Sequence, residues 1–140
     1  MNYPIAVVSG LTMLAFVAHV TGGIKQSLSI EPSKLVDDRI EQGTLEILDR
    51  NWVQVMCAFQ LVTIDLLALS GALYLLAFTD ILAPKQSIAF ALAAVYFLWG
   101  CSWLIQLRAL KRKPRDYLFL GHWGFWFLCS GLIYGGALSL

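Results

Sequence analysis

Hydrophobic positions fall into four long runs separated by short polar breaks. Residues 1–24, 51–79, 86–107 and 117–140 contain no Asp, Glu, Lys or Arg apart from Asp65. Each run can hold the roughly 20 apolar residues that a membrane-spanning helix needs. The pattern predicts spans over about 4–21, 52–78, 87–107 and 117–138. Pro4 suits a helix start, where its missing N–H costs little, and Gly22-Gly23 reads as a stop. The short second break contains Pro84.

The first polar break, 22–51, is the longest. Glu31-Pro32-Ser33 reads as a helix start. Val36, Ile40, Ile47 and Leu48 then recur at near-helical spacing among Asp37, Asp38, Arg39 and Glu41, with Gly43 interrupting. This predicts a short amphipathic helix on the membrane surface, with docking of a partner as the sharper alternative. Short connections make successive spans antiparallel neighbours. The expected fold is therefore all-α: an integral membrane protein built as an antiparallel bundle of four transmembrane helices in a single domain covering 1–140.

Composition agrees. The apolar class is 59% and the charged class 14%, against about 45–50% and about 25% in soluble domains. The net charge of +1 gives no nucleic-acid footprint. The distribution of charge adds an orientation. Of nineteen charged residues, eighteen lie in 25–50, 80–85 and 108–116. The first and third breaks share one face and hold nine basic residues, against Lys85 alone on the other. The positive-inside rule makes that face cytoplasmic, with both termini on the opposite side, and points to a bacterial inner membrane. Met1 to Gly23 has no basic n-region and no small-residue cleavage site, so it reads as a retained span. The basic loop 108–116, net +4, either pairs with the first loop, net −2, or attracts anionic headgroups.

Asp65 is the one charged-type residue inside a span. A carboxylate at mid-bilayer costs roughly 2.5–3.5 kcal/mol on insertion scales, so such residues usually face the bundle interior. It reads as a proton or cation site, a counter-charge, or a protonated group bonded to Thr12 or Ser130. His19 and His122 lie near the cytoplasmic ends of spans one and four. Such a pair can hold haem b or flank a quinone headgroup, or can simply reach for interfacial water. Gln54 and Gln106 sit in the same layer, and Gln54 shares a helix face with Asp65, eleven residues on. Ser9, Thr12, Phe16 and His19 form a stripe on span one. Tyr96, Trp99, Trp103 and Gln106 form one on span three, and His122, Trp126 and Ser130 one on span four. The candidate ligand-binding set is thus His19, Gln54, Asp65, Trp99, Trp103, Gln106, His122 and Trp126. Trp52, Trp103 and Trp123 fit an interfacial aromatic belt, leaving Trp99 and Trp126 deep enough to wall a ligand.

Cys57, Cys101 and Cys129 lie inside spans without pairing motifs and read as small apolar packing. Gly131 and Gly135 form a GxxxG, which permits close helix approach within or between protomers. No HExxH, GxSxG or Walker loop is present, and no dedicated metal set. The leading functional expectation is a non-enzymatic ligand-binding or accessory subunit with a polar cavity near the cytoplasmic face. Its partners would be lipid and either further copies or a larger membrane complex. The alternatives are a redox protein holding haem b or a quinone through His19 and His122, and an oligomeric proton or cation pathway centred on Asp65. Enzyme chemistry on a lipid-like substrate is disfavoured by the depth separating His from Asp.

Overall fold

The computed structural model describes residues 1–34 and 42–140. All regular structure among them is helical. The elements are α1 (Tyr3–Ala18), a π turn (His19–Gly23), α2 (Ile24–Ser29), a 3-10 turn (Pro32–Lys34), α3 (Gln42–Phe78), α4 (Lys85–Ala109), α5 (Pro114–Phe119) and α6 (His122–Ala137). Among the described residues, three helical stretches are long and apolar enough to cross a membrane: Tyr3–Ser29, Gln42–Phe78 and Lys85–Ala109.

The boundaries differ from the sequence expectation in three places. Gly22-Gly23 does not end the first helix: the chain passes through the π turn and continues to Ser29. Gly23 serves close approach instead, because a β-carbon there would lie 2.7 Å from the Phe59 ring. The second helix begins at Gln42, so Ile47 and Leu48 belong to α3 rather than to a separate surface helix. Nothing between Gln42 and Trp52 breaks a helix except the single Gly43, and Glu46 and Arg50 stand at the favourable i, i+4 spacing. The rest of the expected amphipathic segment, including Val36 and Ile40, lies outside the described residues. The fourth run is divided at Leu120-Gly121 into α5 of 6 residues and α6 of 16 residues. At 1.5 Å per residue α6 is about 24 Å long, below the roughly 30 Å of a hydrocarbon core.

The chain forms two compact units, 11–70 and 1–10 with 71–140. In the first, the end of the Tyr3–Ser29 stretch runs antiparallel to the start of α3. The Trp52 indole donates to the Ser27 carbonyl at 3.2 Å, and Phe59 lies against His19 and Gly23. In the second, α4 and α6 pair antiparallel along their lengths. The Gln86 amide donates to the Ala137 carbonyl at 3.1 Å. The Ser130 hydroxyl donates to the Ala93 carbonyl at 2.8 Å. Gly100 admits Phe127, whose ring would lie 2.6 Å from a β-carbon at that position. The Trp103 indole donates to the Leu120 carbonyl at 2.9 Å.

The chain start is tied into the same unit. Asn2 caps α1 by accepting from the Ile5 N–H at 3.3 Å. Its amide donates to the Gly136 carbonyl at 2.8 Å and to the Ser139 hydroxyl at 3.2 Å. Gly136 must be glycine for this contact, since a β-carbon would meet Asn2 Oδ1 and Ile5 Cγ1 at 2.7 Å. Gly131 and Gly135, by contrast, face open space, so the GxxxG packs nothing within this unit.

Candidate functional site

The 3-4 spacing of Tyr96, Trp99 and Trp103 puts these rings on one side of α4, and α6 presents His122 and Trp126 toward them. Trp99 and Trp126 meet edge to face with centroids 4.9 Å apart. Tyr96 contacts Trp126 at 5.7 Å, and Trp103 lies 4.6 Å from the His122 ring. Four of the eight candidate residues, Trp99, Trp103, His122 and Trp126, are therefore brought together. Trp126 is buried and Tyr96 fully so. Tyr96, Trp99 and Trp126 fill the seam between α4 and α6 instead of walling an opening, as aromatic pairs at such distances do, and His122 is exposed at its edge. Gln106 continues the α4 stripe by one turn but is exposed.

A groove of about 850 Å³ runs along the α4–α6 pair. Its floor is Ala93, Ala94, Ser130 and Gly131. Phe90 with Tyr134 closes one end and Phe97 with Phe127 the other, each pair at 5.4 Å. Because the Ser130 hydroxyl is spent on the Ala93 carbonyl, the floor presents no unsatisfied polar group.

His19 belongs to the other unit and has its own partners. Its ring stacks on Phe59 at 3.7 Å and 14°. Its Nε2 stands 3.2 Å from the Phe59 carbonyl, which also accepts from the Thr63 hydroxyl at 2.9 Å. A carbonyl only accepts, so Nε2 carries the proton. A haem iron would need that nitrogen's lone pair, so His19 in this geometry does not fit axial ligation through Nε2. No group of three His, Cys, Asp or Glu side chains with metal-site geometry occurs among the described residues.

Asp65 and Gln54 are both exposed. The face they share is real, but it is the outer face of α3. The buried positions Leu66, Ser70, Leu73 and Ala77 form a stripe rotated away from Asp65, and Leu76, three turns beyond Asp65, is the one described position of α3 that is buried on Asp65's own side. Of the residues expected at mid-depth, Thr12 and Ser130 are buried, each in its own unit, and Asp65 is exposed. Asp65 makes no hydrogen bond or ion pair among the described residues. Cys57 is exposed, Cys101 half-buried and Cys129 buried, all with free thiols.

Sequence reasoning missed the Asn2–Gly136–Ser139 junction and the role of Gln86. The readable signal was local: Asn2 before Tyr3-Pro4 is a helix-capping pattern. Comparison with known protein families, with characterised proteins and with solved structures finds no match to this chain.

Proposed function

We propose that this protein is an assembly subunit of the membrane, a multi-pass chain that buries the Asp65 face of α3 against a second copy of itself. The observation behind this reading is the exposed, unpartnered Asp65 at the middle of the otherwise charge-free run 51–79, within a helix long and apolar enough to span. A carboxyl group facing hydrocarbon is costly and needs a polar partner. The apolar runs 1–24, 51–79, 86–107 and 117–140 hold no Lys or Arg to supply one at that depth. A second copy in the same orientation, related by a two-fold axis along the membrane normal, brings Asp65 to Asp65 of the partner. Two adjacent carboxyls then share one proton, because like charges at contact cannot both ionise. Ala58, Leu61, Ala68 and Ala72 lie on the same face as Gln54 and Asp65. The small residues among them permit close backbone approach.

In this reading α6 is the fourth span, since it follows α4 along its length, and α5 lies at the membrane surface. The basic α4–α5 connection faces the cytoplasm and both termini lie outside, in a bacterial plasma membrane. Neither histidine reading gains a supporting contact. The test is the mass of the purified protein in mild detergent. The wild-type chain is expected as a dimer and Asp65→Leu as a monomer. A wild-type monomer, or an Asp65→Leu dimer of undiminished stability, would sink the proposal.

A further inference from the structure

The connection between α4 and α6 carries a second feature, independent of Asp65. α4 ends in a Schellman turn: the Lys111 N–H bonds the Arg108 carbonyl and the Arg112 N–H bonds the Leu107 carbonyl, at 3.0 and 3.1 Å. The residue in the left-handed conformation is Lys111, at φ 50. Glycine would occupy that position at lower conformational cost, yet the position carries a cation.

The six-residue α5 that follows is held at both ends. Asp116 accepts from the Lys113 backbone N–H at 3.2 Å. The Trp123 indole donates to the Tyr117 carbonyl at 2.7 Å, and the Trp103 indole to the Leu120 carbonyl at 2.9 Å. These indoles satisfy carbonyls that a helix end leaves unpaired. Asp116, the single acid of the segment, is also engaged by Arg112 Nε at 3.0 Å and by Arg115 Nε at 3.8 Å. Arg108, Lys111 and Lys113 remain exposed and have no acidic partner among the described residues. Beside them Leu118 and Phe119 are 81% and 86% exposed.

We infer that Arg108, Lys111 and Lys113, with Leu118 and Phe119, form a docking surface for anionic phospholipid. Arg108 is in the last turn of the spanning helix α4, which sets the three cations at headgroup depth. The two indoles fix α5 at the same level, where tryptophan partitions. Charge complementarity selects a phosphate-bearing headgroup. The rigidly held Leu118 and Phe119 select lipid over free phosphate, because they need an apolar phase to enter and a soluble anion offers none.

The test uses the full chain in detergent with equimolar phosphatidylglycerol and phosphatidylcholine of matched acyl chains, bound lipid being counted by native mass spectrometry. The wild-type chain is expected to retain phosphatidylglycerol preferentially. Each cation removed lowers the preference about fivefold, so Arg108→Gln/Lys111→Gln/Lys113→Gln abolishes it. The charge-preserving Arg108→Lys/Lys111→Arg/Lys113→Arg keeps it, which separates charge from misfolding. Leu118→Ser/Phe119→Ser lowers retention of both lipids. Undiminished preference in the glutamine variant, loss in the charge-preserving one, unchanged retention in the serine variant, or displacement by inorganic phosphate each overturns the assignment.

Discussion

Lys111 holds a backbone conformation that costs a residue with a β-carbon about 1 kcal/mol or slightly more. Lys111→Gly is therefore expected to stabilise the chain by about 0.5–1 kcal/mol, read as a higher unfolding midpoint in detergent. The same substitution lowers the phosphatidylglycerol preference. Stability and lipid selectivity then move in opposite directions, which a purely structural lysine would not produce. A second single-residue effect sits in the connection before α4. Lys85 Nζ lies 2.7 Å from the Asp80 carboxylate. That hydrogen bond and the lysine's charge hold the Asp80 carboxyl below the usual carboxylate range. The folded-state value is the lower one, so the contribution of the pair is complete above the ordinary carboxylate value and is lost as pH falls through the lowered one. Carboxyl-carbon NMR should show Asp80 titrating low in the wild type and returning to the ordinary range in Lys85→Met. An Asp80 that titrates identically in both chains would mean that the pair is not populated.

Among the elements, the glycines separate packing from open surface. Gly100→Ala drives a β-carbon to 2.6 Å from Phe127. The resulting overpacking is expected to cost about 1–3 kcal/mol. Gly131→Ala and Gly135→Ala meet nothing within 4 Å and should leave the unfolding midpoint of the isolated chain unchanged. The contrast also marks what the sequence could and could not reveal. The membrane-spanning stretches were legible because charge cannot be hidden in hydrocarbon, so its absence draws their outlines. Helix ends were not, because glycine signals both a stop and a close approach. Gly23 serves the second, against Phe59, whereas the chain breaks at Leu120-Gly121 with no proline to announce it. The grouping of Trp99, Trp103, His122 and Trp126 followed from helical spacing. The direction in which Asp65 points did not. Periodicity identifies which residues share a face. On a helix whose outward positions near Asp65 include Leu61, Ile64 and Leu67, both faces are largely apolar and the inner one is unmarked. The Asn2–Gly136 bond joins residues 134 apart, a pairing that no local pattern encodes.

For the molecule as a whole, the orientation of Asp65 makes a prediction that distinguishes an assembly face from an internal site. An acid bonded inside its own protomer stabilises that protomer, and replacing it by leucine leaves its partners unsatisfied. An acid on the lipid side destabilises the isolated chain, and leucine relieves a cost on the order of 2.5–3.5 kcal/mol on insertion scales. Asp65→Leu should therefore raise the unfolding midpoint of the monomer while abolishing the dimer. Asp65→Asn keeps hydrogen bonding but cannot share a proton as a carboxyl pair does, so it should weaken the dimer without eliminating it. The face itself can be mapped in native membranes. In a chain with Cys57, Cys101 and Cys129 replaced by serine, single cysteines are introduced along α3 and oxidised. Cross-linking should peak at Ala58, Leu61, Ala68 and Ala72 and vanish at the buried Leu66 and Leu73. This periodicity matches a helix turning every 3.6 residues with Asp65 at the contact. A flat profile, or one peaking at Leu66 and Leu73, would place the contact elsewhere and leave Asp65 without the partner that its exposure demands.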